Sequence, residues 1–283
     1  ATINTTENVT FTSNVSDPEN DALTYTWQIL NSAGVVVASY SNANNVLEHQ
    51  FRKAGVYKVR LIVNDDYSGS TQITSESITV NQKIVIPEDK DVFFVPWQSD
   101  EINVADLEEK FNTGDMIRLF DSENGRFSKC WEVGKSSLTD VFNIPKGGIL
   151  RVEPGPISKE TGISDVISLQ PSDSDINISL KYTYDKSSRS GNPGYTYFTW
   201  TSDKVITAHE LGSQLNLADF RKGQTISKYD LNNGKWQGYV WGIGLEHTPL
   251  NFDIYPGDVV CIKVNPEMSG RELVIHSASF DVD

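Results

Sequence analysis

The stretch Gly114-Asp-Met-Ile-Arg-Leu-Phe-Asp-Ser-Glu-Asn-Gly125-Arg-Phe127 returns without a gap as Gly223-Gln-Thr-Ile-Ser-Lys-Tyr-Asp-Leu-Asn-Asn-Gly234-Lys-Trp236. Further on, Phe142-Asn-Ile-Pro-Lys-Gly147 is answered by Phe252-Asp-Ile-Tyr-Pro-Gly257 at an offset one residue longer. Upstream, Phe111 is answered by Phe220, and Val92-Phe-Phe-Val-Pro-Trp97 by Tyr197-Phe-Thr-Trp200. Blocks that recur in order at a near-constant offset mark an internal repeat, and such a chain builds the same supersecondary unit twice. The two copies span about residues 92–185 and 195–283.

Each copy reads as an entry strand, a brief helix, a hairpin and a closing strand. In the first, Asn103 is placed to cap a helix from Val104 to Phe111, with Val104, Leu107 and Phe111 on one face and Asp106 in the first turn. The hairpin runs from Ile117 to Phe120, turns at Asp121 to Gly125, and returns from Phe127 to Val133. In the second copy Asn232-Asn233-Gly234 supplies the positive φ that a tight turn demands. Closing strands follow at Ile149–Val152 and Val259–Val264.

Residues 1–82 are patterned differently, with short β-prone runs at sandwich spacing: Val9 to Thr12, Leu23 to Leu30, Val35 to Tyr40, Tyr57 to Val63 and Ile73 to Val80. Turn clusters separate them at Ser16 to Asp21, Asn31 to Gly34 and Asp65 to Gly69. From Tyr57 to Val63 apolar and polar residues alternate, so one face is buried and the other wet. A linker at 83–91, with Pro87 and the charged Glu88-Asp89-Lys90, separates this unit from the β-rich region 92–283. The fold class expected is mainly β: an immunoglobulin-like sandwich followed by a duplicated, pseudo-symmetric β-rich domain with short helices.

Two resemblances bear on this plan. Val9-Thr-Phe-Thr, Ser16-Asp-Pro-Glu-Asn-Asp, Leu23-Thr-Tyr-Thr-Trp27 and Ala54-Gly-Val-Tyr-Lys-Val-Arg-Leu-Ile-Val-Asn-Asp65 resemble a PKD (polycystic kidney disease) repeat. The resemblance covers the whole first unit, departing after Trp27, where the family's Asp-Phe-Gly-Asp-Gly is replaced by Gln28 to Gly34. It implies an extracellular spacer or binding module, with the turns at Asp17 and Asp65 brought towards one end, where some relatives bind calcium. The later repeat resembles β-rich units of surface-layer-associated and other archaeal and bacterial exoproteins, through Tyr229, Asp230, Gly234, Trp236, Pro256 and Gly257. Its last strand departs from theirs, reading Asp258-Val-Val-Cys-Ile262.

The formal charge of −14 argues against nucleic acid as a partner, because phosphate neutralisation needs clustered Lys and Arg. No run of about 18 apolar residues spans a membrane. No G-x-S-x-G elbow, P-loop or zinc-type spacing occurs around His49, His209, His247 or His276, so no catalytic constellation is legible. The best metal candidate is the acidic set Asp17, Glu19, Asn20 and Asp21, joined by Asp65 and Asp66, which offers calcium the oxygen ligands it takes. Against it stands the plain reading of a solvated turn whose Asp and Asn tie local backbone.

Asn4, Asn8, Asn14 and Asn177 begin N-glycosylation sequons, three of them within the first sixteen residues. Cys130 and Cys261 sit at non-equivalent places in the two copies, and either form one inter-repeat bridge, stay as separate buried thiols or link chains. Among the aromatic residues, Tyr239 and Trp241 are the candidates for stacking a sugar, with packing in the core as the competing role.

The function expected is a non-catalytic structural or adhesive protein of a cell surface layer, sheath or filament, with other copies or other surface proteins as partners. The Thr-rich start, Ala1 to Ser13, is a candidate for pairing with a sheet edge of another copy. The alternative is a carbohydrate-binding module that takes glycans.

Overall fold

The computed structural model describes residues 1–5, 7–42, 44–83, 91–135, 141–161, 175–215, 224–231, 234–240, 251–276 and 279–282. The chain divides into two compact units, Ala1–Lys83 and, among the described residues, everything from Asp91 on.

Among its described residues the first unit has eight strands: β1 (Thr2–Asn4), β2 (Asn8–Thr12), β3 (Leu23–Leu30), β4 (Val36–Asn42), β5 (Val46–Gln50), β6 (Gly55–Asp65), β7 (Ser70–Thr74) and β8 (Ile78–Asn81). Its main sheet has the order β1-β8-β6-β3-β4, while β2 and β5 form a second, two-stranded ladder. The alternation read along β6 is realised, with Tyr57, Val59, Leu61 and Val63 buried. They pack with Trp27 and Ile29 of β3 and with Leu47 and Phe51 from the other side, where Val9 and Phe11 of β2 also lie. That is a sandwich core, in which Phe51 lies 4.9 Å from Tyr57.

One expectation changes here. The run Ile73 to Val80 is not one strand: β7 pairs with residues 60–64 of β6 and β8 with residues 55–57, so the chain shifts along its partner between them. The Thr-rich start already has partners in its own unit, β1 running parallel to β8 and β2 antiparallel to β5. Among the described strands β1 pairs only with β8 and β2 only with β5, so each keeps one outer edge.

In the second unit two four-stranded sheets share one plan. The first comprises β9 (Phe93–Pro96), β11 (Met116–Asp121), β12 (Arg126–Glu132) and β14 (Ile149–Glu153), in the order β9-β14-β11-β12. The second comprises β16 (Tyr195–Thr199), β18 (Thr225–Asp230), β19 (Lys235–Val240) and β21 (Val259–Lys263), in the order β16-β21-β18-β19. Each half adds a two-residue ladder, β10 (Ile102–Asn103) with β13 (Asn143–Ile144), and β17 (Ile206–Thr207) with β20 (Asp253–Ile254). A short helix follows the first strand of each ladder. Val104–Lys110 is 3₁₀ rather than α-helical, capped by Asn103 through Ala105 N–H, whereas α2 (Ala208–Gln214) is capped by Thr207 through Glu210 N–H. A further helix, α1 (Pro156–Thr161), follows β14. The strands β15 (Ile176–Ser179), β22 (Glu272–Ile275) and β23 (Phe280–Val282) form a third sheet that closes the second half's core over Trp200, Leu211 and Ile262.

Backbone detail repeats with the plan. Trp97 N–H donates to Gly148 C=O and Trp97 C=O accepts from Gly147 N–H; Trp200 makes the same pair with Asp258 and Gly257. Both indoles are fully buried, and each Nε1–H reaches a nearby carbonyl, Asp100 at 2.9 Å and Lys204 at 2.8 Å. Val104 N–H donates to Phe142 C=O as Ala208 N–H donates to Phe252 C=O. The hairpin turns close at Gly125 (φ 61°) and Gly234 (φ 64°), where a side chain would be strained.

Candidate functional site

Between the two sheets of the second unit lies a cluster of six rings, three from each half. Phe94, Phe120 and Phe127 occupy the places that Tyr197, Tyr229 and Trp236 occupy in the second half. Their spacings are preserved when the halves are exchanged. Phe120 lies 4.9 Å from Tyr197, and Tyr229 lies 5.0 Å from Phe94. Both Phe127–Tyr197 and Trp236–Phe94 are 5.3 Å edge-to-face contacts. Phe94 and Tyr197 meet each other on the axis of this exchange, stacked at 6.4 Å. Ile149 and Val259 fill the floor. Edge-to-face pairs of this kind add about 0.5–1.5 kcal/mol each beyond area burial, so the cluster joins the halves. Burial raises the pKa of the Tyr197 hydroxyl, with the Cys261 thiol beside it adding to the rise.

The rim of this cluster is open at Trp236, which is 39% exposed. Tyr239, three residues on, faces the other way: it is buried, and its hydroxyl lies 2.9 Å from His209 Nδ1. Strand register sets this orientation. Tyr239 pairs with Ile226 as Trp131 pairs with Ile117, so Tyr239 is the counterpart of a core tryptophan and cannot stack a ligand. Trp241 lies outside the described residues. Trp236 is thus the accessible ring that an alternating pattern could have singled out.

A groove of about 1050 Å³ opens beside the first hairpin, walled by Leu119, Phe120, Asp121, Lys129, Phe142, Asn143 and Glu101. A β-bulge shapes it. Leu119 pairs with Lys129 and Phe120 with Phe127, which leaves Ser128 as an extra residue. Ser128 Oγ–H donates to Asp121 Oδ2 at 2.9 Å. Desolvation opposes ionisation of Asp121, but hydrogen bonds from Asn124, Ser128 and the Glu123 backbone hold its pKa below the usual carboxylate value. Glu101 accepts from Asn143 Nδ2 at 2.9 Å.

The acidic turns of the first unit do converge, because Leu23, just after Asp21, is the register partner of Asp65. Desolvation and then the charges of Asp17, Asp65 and Asp66 raise the pKa of Asp21. Yet Asp17 Oδ1 accepts from Glu19 and Asp21 N–H, and Asp65 Oδ1 from Tyr67 and Gly69 N–H. These are backbone-tying turns, with Asn20 at φ 68°. Glu19 and Asn20 point to solvent. Among the described residues no group of three or more His, Cys, Asp or Glu side chains is placed to hold a metal.

Asn8, Asn14 and Asn177 are exposed, whereas Asn4 is half-buried and donates its amide to Glu7 Oε1 at 2.9 Å. Cys130 and Cys261 are both thiols rather than halves of a bridge. Cys261 is buried in the middle of β21 between Tyr197 and Ser227, while Cys130 stands on β12 opposite Arg118, each held in its own sheet. His49 lies 3.0 Å from the Tyr40 hydroxyl, and burial lowers its pKa. His276 sits between Asp175 and Asp281. His247 lies outside the described residues. No helix among the described residues is long and apolar enough to cross a membrane.

Residues 1–80 match the family model for the PKD domain, which accounts for the first unit and for less than half of the chain. No curated protein matches the sequence. Several solved structures resemble the whole chain loosely, three of them as follows. A carbohydrate-binding module structure of the β-sandwich superfamily is 12% identical over 99% of this chain and 92% of that one, with a TM-score of 0.26. The Bacteroides ovatus mixed-linkage glucan utilization protein SGBP-B, in complex with a heptasaccharide, is 13% identical over 99% and 93%, TM-score 0.25. Domains 3–5 of the Drosophila OTK extracellular region are 9% identical over 100% and 91%, TM-score 0.23. At these TM-scores none of the three bears on what this chain binds.

Proposed function

We propose that the chain is a non-catalytic extracellular protein of an archaeal cell surface layer, sheath or filament, whose copies associate through an open sheet edge. The observation that carries this reading is β7. Among the described strands it pairs only with β6, and all five of its side chains are exposed. Its sequence, Ser-Thr-Gln-Ile-Thr, has neither the Lys nor the Pro that often blunts an edge, and Ile73 is 68% exposed. Tyr67, in the turn just before, is 80% exposed. The PKD match over this unit, the acidity and the exposed sequons at Asn8, Asn14 and Asn177 support an extracellular setting.

Sedimentation velocity of the full chain over rising concentration tests this. Association is expected in the wild type and is expected to be lost in Ile73→Lys, which places a charge on the edge without touching the core. Association unchanged in the variant would overturn the reading. A second reading, glycan capture, is favoured by the exposed Trp236 on its aromatic platform. Polysaccharide pull-down that is lost in Trp236→Ala would support it.

A further inference from the structure

The groove beside the first hairpin has a counterpart in the second half, and that counterpart is filled from within. Lys228 stands where the first half has Leu119: each is the residue before the ring that pairs across the hairpin, Tyr229 with Trp236 and Phe120 with Phe127. The Lys228 ammonium lies 5.5 Å from the Phe252 ring centroid and 5.2 Å from that of Tyr255. It donates to Asp253 C=O and lies 3.3 Å from Asp258 Oδ2. Only 14% of the Lys228 side chain is exposed. An aliphatic ammonium in a partly desolvated site gains from such rings and from a charge-assisted acceptor.

The matching positions in the first half are Phe142, Asn143 and Pro145, and all three line the open groove. Leu119 is too short to reach across it and carries no charge. Asp258 is matched by Gly148, so the balancing anion there has another source: Glu101, fixed on the groove wall by Asn143, with Asp121 beyond it.

We propose that this groove binds a lysine side chain of another polypeptide, its ammonium taking the place that Lys228 fills in the second half. The ring of Phe142 and the carbonyl of Asn143 receive it as Phe252 and Asp253 receive Lys228, and Glu101 supplies the charge. Lys129 also lines the groove and opposes the incoming cation, so it limits affinity. This inference is independent of the β7 edge, and either can fail without the other.

The test is calorimetric titration of the full chain, at low salt, with a blocked Gly-Lys-Gly tripeptide and with its Nε-acetylated form. The lysine peptide is expected to bind at least about tenfold more tightly than the acetylated one, the two differing chiefly in charge. Glu101→Gln is expected to weaken it by roughly threefold to tenfold, and Lys129→Ala to strengthen it. Leu119→Lys should fill the groove from within and remove binding. Should that variant fail to fold, the acetylated peptide and Glu101→Gln still decide the matter. No binding of either peptide at millimolar concentration, equal binding of both, or an affinity indifferent to Glu101→Gln would each overturn the proposal.

Discussion

Phe94 and Tyr197 occupy equivalent places in the two halves of the second unit, and they stack on each other with their planes 10° apart. The contact a residue makes with its own counterpart lies on the symmetry relation itself, so this pair ties the halves together most directly. Phe94→Ala is expected to destabilise the unit by roughly 2–4 kcal/mol, somewhat less than a fully buried ring because Phe94 is only half-buried. A double-mutant cycle with Tyr197→Ala, read by urea unfolding, should give a coupling of about 0.5–1.5 kcal/mol. Additive effects would show that the rings do not act as a pair.

The His276 side chain is held by Asp175 at 3.0 Å and Asp281 at 3.1 Å. The hydrogen bond to Asp175 is the main cause of its raised pKa, desolvation works against it, and the charge of Asp281 adds to it. A raised folded-state pKa means the stabilisation is fully present below the ordinary histidine value of about 6.5 and is lost as pH climbs through the folded value. The protection factors of the β23 amides, corrected for the base-catalysed intrinsic exchange rate, are therefore expected to be larger at mildly acid pH than at mildly alkaline pH. His276→Ala should flatten that dependence, and an NMR titration midpoint at or below the unperturbed value would contradict it.

At Asp21 it is the charged form that the fold disfavours. Its folded pKa is raised, so the ionised form disfavours the fold at neutral pH and the penalty is relieved as pH falls through the folded value. Asp21→Asn should then raise the melting temperature of the first unit in the absence of divalent cations. A calcium ion shared with Asp17 and Asp65 would reverse the sign, so the same comparison in millimolar calcium tells a bare acidic end from a metal site.

The two thiols should react at very different rates. Burial raises the pKa of Cys261 to about 12, while Cys130 is half-buried on β12. A thiol reagent on the native chain is expected to label Cys130 alone, with Cys261 following only on unfolding. Finding neither thiol reactive after denaturation without reductant would mean that a bridge exists.

The hairpins were legible because their turns depend on local chemistry: Asp121 accepts from Glu123 and Asn124 N–H, and Gly125 takes the left-handed φ that its spacing announces. The core face of β6 was legible from its alternation. Tyr239 was not, because its face depends on the strand register across β18, and one residue decides which side a ring takes. The break between β7 and β8 left no mark, since Ser75-Glu-Ser77 is no stronger a turn signal than its neighbours. The fate of Cys130 and Cys261 depends on how two sheets meet, which no local pattern encodes. The groove was invisible for the same reason: it is the space left where Leu119 stands in place of Lys228.

On the function proposed above, copies of this chain assemble through the bare edge of the first unit. Negative-stain electron microscopy of the full chain, beside Ile73→Lys at equal concentration, tests it most directly. Ordered filaments or lattices in the wild type, dispersed to single particles in the variant, are the expected result. Single particles in both, or the same assemblies in both, would contradict it.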